Sequence, residues 1–90
     1  MRVALICHDK PGSIQVRLDN RAAHRAYLDG SGVVELAGPL LDAEGAMTGS
    51  LIVLSVETMA QAQDWAAADP YAKAGLFASV TLAEWTKVIG

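Results

Sequence analysis

The chain has little with which to build covalent or metal-held structure. It carries one cysteine and two histidines in 90 residues, so neither a disulfide framework nor a ligand set at metal-like spacing can be assembled. The lone thiol, Cys7, lies in the apolar run Val3-Ala-Leu-Ile-Cys7, where a buried, unreactive state is expected. Charge is also sparse, at 19% of residues with a net charge of −3. An acidic balance without a basic stripe argues against a nucleic-acid partner. No apolar run approaches the ~20 residues of a membrane span, and the one after Arg2 is too short for the apolar core of a secretion signal. A cytoplasmic protein with no membrane contact is expected. No glycine-rich phosphate loop is present, and nothing in the chain asks for a cofactor.

What is abundant is apolar: hydrophobic residues make up 52% of the chain. A single domain over residues 1–90 is expected, burying roughly 60–65% of the surface its unfolded chain exposes. So thin a polar coat predicts apolar surface left over for a partner.

Residues 2–8 read as a strand buried on both faces, broken by Asp9-Lys-Pro-Gly12. A helix follows from about 15 to 29, stopped by Gly30 and Gly32. Strands are predicted over 33–41, with Pro39 marking an edge or a bulge, and over 49–56, joined antiparallel through the turn 42–46. Thr58 with Gln61 three residues on opens a second helix, whose inner face is Met59, Ala62, Trp65, Ala66 and Asp69. Pro70 starts a new turn closed by Gly75, and the last strand covers 77–87. The order β-α-β-β-α-β is that of a ferredoxin-like α+β sandwich, an antiparallel sheet with two helices on one face. Both parities of the strands carry apolar residues: Val3, Leu5 and Cys7 against Ala4 and Ile6. The uncovered sheet face is therefore expected to meet a second copy.

One titratable group is aimed inward. His24 shares its helical face with Asn20, Ala23, Tyr27 and Leu28. Asp69 ends the inner face of the second helix, so side-by-side packing brings imidazole and carboxylate together. A carboxylate bonded to one ring nitrogen leaves the other as a general base. The plainer alternatives are a core histidine satisfied by a carbonyl or by Tyr27, and an aspartate serving only as a cap before Pro70. Arg17, Arg21 and Arg25 read chiefly as a solvated face, although Arg17 and Arg21 lie within about 60° of His24 at ~100° per residue, where they are candidates to hold an anionic substrate. Ser50 and Tyr71 are candidate hydroxyl donors against a default of turn and packing roles. Trp65 and Trp85 are assigned to core or interface.

Taken in order, Asp9-Lys-Pro, Arg21-Ala-Ala-His24-Arg-Ala-Tyr-Leu28, Ala37-Gly-Pro-Leu, Gly49-Ser-Leu, Asp69-Pro-Tyr71 and Ala74-Gly-Leu-Phe77 resemble the YciI-like family, also called YCII-related domains. The resemblance implies a dimeric α+β barrel of two ferredoxin-like subunits whose pocket holds a His-Asp pair, matched here by His24 and Asp69. Arg25 departs from the apolar residue that commonly follows the family histidine. The resulting expectation is a small homodimer that binds a small metabolite and acts as a cofactor-independent lyase or isomerase by proton transfer. The alternative is a non-catalytic module for a ligand or a protein partner.

Overall fold

Alternation along the first strand sets the orientation of the whole sheet. In β1 (Arg2–Asp9), Val3, Leu5 and Cys7 point to one face and are almost wholly buried, while Ala4 and Ile6 point to the other and are half-buried. A computed structural model describes residues 1–90. It pairs β1 with β3 (Met47–Ser55) and β4 (Phe77–Trp85), and β3 with β2 (Val34–Leu41), all antiparallel, in the order β2-β3-β1-β4. Helices α1 (Ile14–Ser31) and α2 (Met59–Ala68) cover the face bearing Val3, Leu5 and Cys7, and a single turn, α3 (Pro70–Lys73), lies between α2 and β4. This is the ferredoxin-like α+β fold, with the core formed by Val3, Leu5, Ile52 and Leu54 against Ala62 and Trp65. No helix is long and apolar enough to cross a membrane.

Within one chain the helices cover one side of β1 only, and the other side stays partly open. Helix α1 runs through Gly30 and ends at Gly32, whose φ of 73° places it in the left-handed region that favours glycine at a helix terminus. β3 begins at Met47, two residues earlier than the spacing predicts, because β2 pairs with it as far as Leu41. β4 stops at Trp85 rather than at residue 87. β2 is an edge strand with register shifts between Val34 and Leu36 and between Leu40 and Leu41, which accommodates Pro39. At the start of α2 the Gln61 N–H donates to Thr58 Oγ1 at 3.1 Å, while Gln61 Oε1 accepts from the Glu57 N–H at 2.7 Å, one residue before the usual partner of a capping box. The Tyr27 hydroxyl donates to the Trp65 carbonyl at 2.8 Å and ties α1 to α2.

Gly49 is required where it stands. A Cβ there would sit 2.2 Å from the Cys7 carbonyl oxygen, a backbone atom that cannot swing away. Gly49→Ala is therefore expected to destabilise the fold by about 1–3 kcal/mol. Gly38→Ala on β2, where nothing lies within 4 Å, is expected to change stability by less than about 0.5 kcal/mol. Urea denaturation of the two variants against wild type checks the contrast.

Candidate functional site

Pro70 disfavours helical geometry at the residue before it, and Asp69 takes φ −59° and ψ 128°, ending α2 and opening α3. Its Oδ1 accepts the Tyr71 N–H at 2.9 Å and lies 2.7 Å from His24 Nδ1. Both side chains are buried, with His24 6% and Asp69 2% exposed. A carboxylate oxygen can only accept, so Nδ1 carries a proton, and in the neutral ring Nε2 keeps its lone pair. The His24 ring stacks on Tyr71 at 3.8 Å between centroids and 10° between planes, and Tyr71 meets Phe77 edge-on at 6.1 Å. The residues that cap α3 thus also fix the imidazole in orientation and tautomer.

A second buried pair stands beside the first. Arg17 donates through Nε to Asp9 Oδ2 at 2.8 Å, and through Nη2 to Asp9 Oδ1 at 3.0 Å and Ser50 Oγ at 3.0 Å. Its guanidinium carbon lies 4.8 Å from the Tyr71 ring centroid. Burial pulls the Arg17 pKa down, but the hydrogen bonds and charge of Asp9 outweigh it and hold the group above its ordinary value. The reading of all three arginines as a solvated face is corrected for Arg17, which is 3% exposed because Asp9 draws it under Tyr71. Ser50 accepts from Arg17, so its own O–H is left to donate elsewhere. Burial pushes the Tyr71 phenol up, while Arg17 and Arg21 pull it the other way.

These groups line one cleft of about 230 Å³ between α1 and the β2–β3 edge. His24, Arg17, Arg21, Ser50 and Tyr71 all reach it, with Arg21 and Arg25 exposed at its mouth and Ile52, Met47 and Leu28 supplying apolar wall. Asp69 lies behind the histidine and does not line the cleft. Asp9 is the participant that the sequence reading missed, having been assigned to the strand-breaking turn. Its parity was the available signal, since Val3, Leu5, Cys7 and Asp9 alternate onto the helix-facing side. No group of three or more His, Cys, Asp or Glu side chains converges at metal-ligand spacing.

Cys7 pairs with Ser50 across the β1–β3 ladder, close to both buried carboxylates. Burial pushes its thiol up to about 12 from 9.0, with the charges of Asp69 and Asp9 adding to the rise and Arg17 opposing it. The folded state therefore holds this proton more tightly than the unfolded chain. The associated stability is fully present below about pH 9 and is lost as pH climbs toward about 12. Denaturant titrations between about pH 7 and 10.5 are expected to show a shallower alkaline decline for Cys7→Ala than for wild type, and the native thiol is expected to resist alkylation at about pH 8.

Comparison with known proteins bears on the family and the fold. The model of the YCII-related domain matches residues 1–86. Protein YciI of Escherichia coli is 33% identical over 97 residues, covering 98% of this chain and 99% of that protein. Among solved structures, the 5-chloro-2-hydroxyhydroquinone dehydrochlorinase TftG of Burkholderia phenoliruptrix, in complex with 2,5-dihydroxybenzoquinone, is similar with a TM-score of 0.89 and 37% identity over 96% of this chain and 94% of that one. A heme-degrading protein of Mycobacterium tuberculosis matches over the full length of both chains at 25% identity with a TM-score of 0.56. This second likeness is one of fold, within the dimeric α+β barrel superfamily. On its match to the domain over nearly its whole length and on its likeness to YciI, the chain belongs to the family of YCII-related domains.

Proposed function

We propose that this protein is a cofactor-independent enzyme of the lyase or isomerase type that moves a proton on a small oxygenated metabolite. The observation that carries the reading is the 2.7 Å contact between His24 Nδ1 and an aspartate oxygen already pinned by the Tyr71 N–H. His24 Nε2 takes a proton from an acidic C–H or O–H of the substrate, and the electron pair left behind moves onto a substrate oxygen. The Ser50 hydroxyl, turned outward by its bond from Arg17, donates to that oxygen. Asp69 stabilises the imidazolium by charge, and His24 then returns the proton to a second atom or to a leaving group. Arg17 acts through Ser50 and Tyr71 as a positioning residue. A dehydrochlorinase among the similar structures, with a dihydroxyquinone bound, supports a ligand of small oxygenated-ring size.

The test separates chemistry from binding. A thermal-shift screen that includes 2,5-dihydroxybenzoquinone is expected to give a stabilising hit. Turnover of the best hit or its analogues is expected to fall by about 10²–10⁴-fold in His24→Ala. Asp69→Asn is expected to stay folded, because the Asn Oδ1 still accepts from the Tyr71 N–H and from Nδ1, yet to lose most turnover because it carries no charge. Asp69→Ala removes the cap as well and is expected to lose about 0.5–2 kcal/mol of stability. Affinity without turnover in the wild type would instead support a binding module.

The assembly proposed with this function is a homodimer through the sheet face away from the helices. Strand register puts Ile6, Leu51, Val53, Leu36 and Trp85 on that face, and Leu36 and Trp85 are 47% and 39% exposed. Apolar surface on a charge-poor domain is best hidden against its own copy. Sedimentation equilibrium is expected to give twice the chain mass at micromolar concentration, and a Leu36→Glu, Trp85→Glu double variant is expected to give the single mass.

A further inference from the structure

We propose that the cleft beside His24 takes a small organic anion with an apolar body of about one ring, its charge held at the mouth by Arg21 and Arg25. The proposal rests on the reading of this cleft as the ligand site of the His24–Asp69 pair, and it assigns that site a substrate class.

Four cationic or basic side chains line the cleft, and they divide into two kinds. Arg17 is neutralised by both oxygens of Asp9, and His24 is held by Asp69. Arg21 and Arg25 have no carboxylate within 4.0 Å; the ion pairs made by arginine and lysine are Arg2–Glu35, Arg17–Asp9 and Lys87–Glu35. The nearby acids of α1 do not supply one. Asp19 accepts from the Gln15 side-chain amide at 2.8 Å. Asp29, one turn beyond Arg25 and beside it in an adjoining groove, makes no ion pair, and an acid C-terminal to its base is the weaker helical arrangement.

Arg21 and Arg25 are thus like charges at i and i+4, a spacing that disfavours the helix carrying them. In a chain of net charge −3, two unpaired cations at the mouth of one cleft form a local positive field that attracts an anion. That field reaches inward, since Arg21 is among the charges that pull on the Tyr71 phenol. Ile52, Met47, Leu28 and Pro39 supply apolar wall to the same cleft. The volume of about 230 Å³ lies below the ~300–1,000 Å³ of sites for drug-sized ligands. An inorganic anion leaves the apolar wall unused, and a neutral ring leaves the arginine repulsion in place.

Benzoate, benzamide and inorganic phosphate serve as probes, read by calorimetry and by the ring resonances of His24. Benzoate is expected to bind at least about tenfold more tightly than either of the others and to shift the His24 resonances. Arg25→Gln and Arg21→Gln are each expected to lose at least about fivefold in benzoate affinity while the ligand-free proteins unfold at the wild-type temperature or above it, because a repulsion has been removed. Benzamide or phosphate binding as tightly as benzoate overturns the proposal, as does full benzoate affinity in the arginine variants or a lowered melting temperature in both. Asp69→Asn keeps both arginines and is expected to keep benzoate binding. Failure of the proton-transfer reading therefore appears as wild-type affinity without turnover, separate from failure of anion selection.

Discussion

The hydrogen bond between His24 and Asp69 joins three helices through one oxygen atom. Asp69 ends α2, caps α3 and meets a side chain of α1, so the place where those elements converge is set by a single buried carboxylate. Removing such a group from water is costly unless its lone pairs are filled. The Tyr71 N–H and His24 Nδ1 fill two of them. The proline that follows holds the backbone where this is feasible, because it bars Asp69 from continuing the helix and is itself suited to begin the next turn. Local backbone chemistry and long-range packing here satisfy the same atom.

Two buried carboxylate–base pairs side by side give the site its character. Asp9 and Asp69 each bind one base, and Tyr71 lies against both of those bases, stacked on the imidazole and within reach of the guanidinium. The arrangement fixes what each polar group has left to offer. His24 retains one free nitrogen, Ser50 retains its proton, and Arg17 retains little. Rigid placement of this kind is what proton transfer needs, since a base misplaced by an ångström loses most of its advantage. The sheet contributes by bringing Ser50 and Cys7 into register on the helix-facing side, with Gly49 allowing the β1 backbone to approach.

The elements themselves were legible from local pattern. Glycine and proline punctuation, the Thr58–Gln61 cap and the period of the apolar residues gave seven segments within a few residues of those observed, because turns, caps and amphipathic faces depend on neighbours a few positions apart. The departures lie at ends decided by a partner. β3 extends to Met47 because β2 continues opposite it, and α1 passes through Gly30 because its stop is Gly32. The inward aim of His24 and the helix-ending role of Asp69 were equally local, but spacing left a core histidine and a cap-only aspartate open, and their meeting across 45 residues is a result of packing.

What the sequence alone determined is therefore the order of elements and the helix faces that aim His24 and Asp69 inward. Only the tertiary structure decided the fate of the three arginines. They repeat at every fourth position of one helix, and although the wheel sets Arg17 and Arg21 nearer His24 than Arg25, it does not say which one finds a carboxylate: Arg17 is buried on Asp9 while Arg21 and Arg25 stay exposed and unpaired. The difference arises because β1 carries Asp9 to the sheet end beside the first turns of α1, whereas the acid that meets a later turn, Asp69, is taken by His24. Charge pairing depends on which groups the packing brings within a few ångströms, and that distance is a property of the assembled fold.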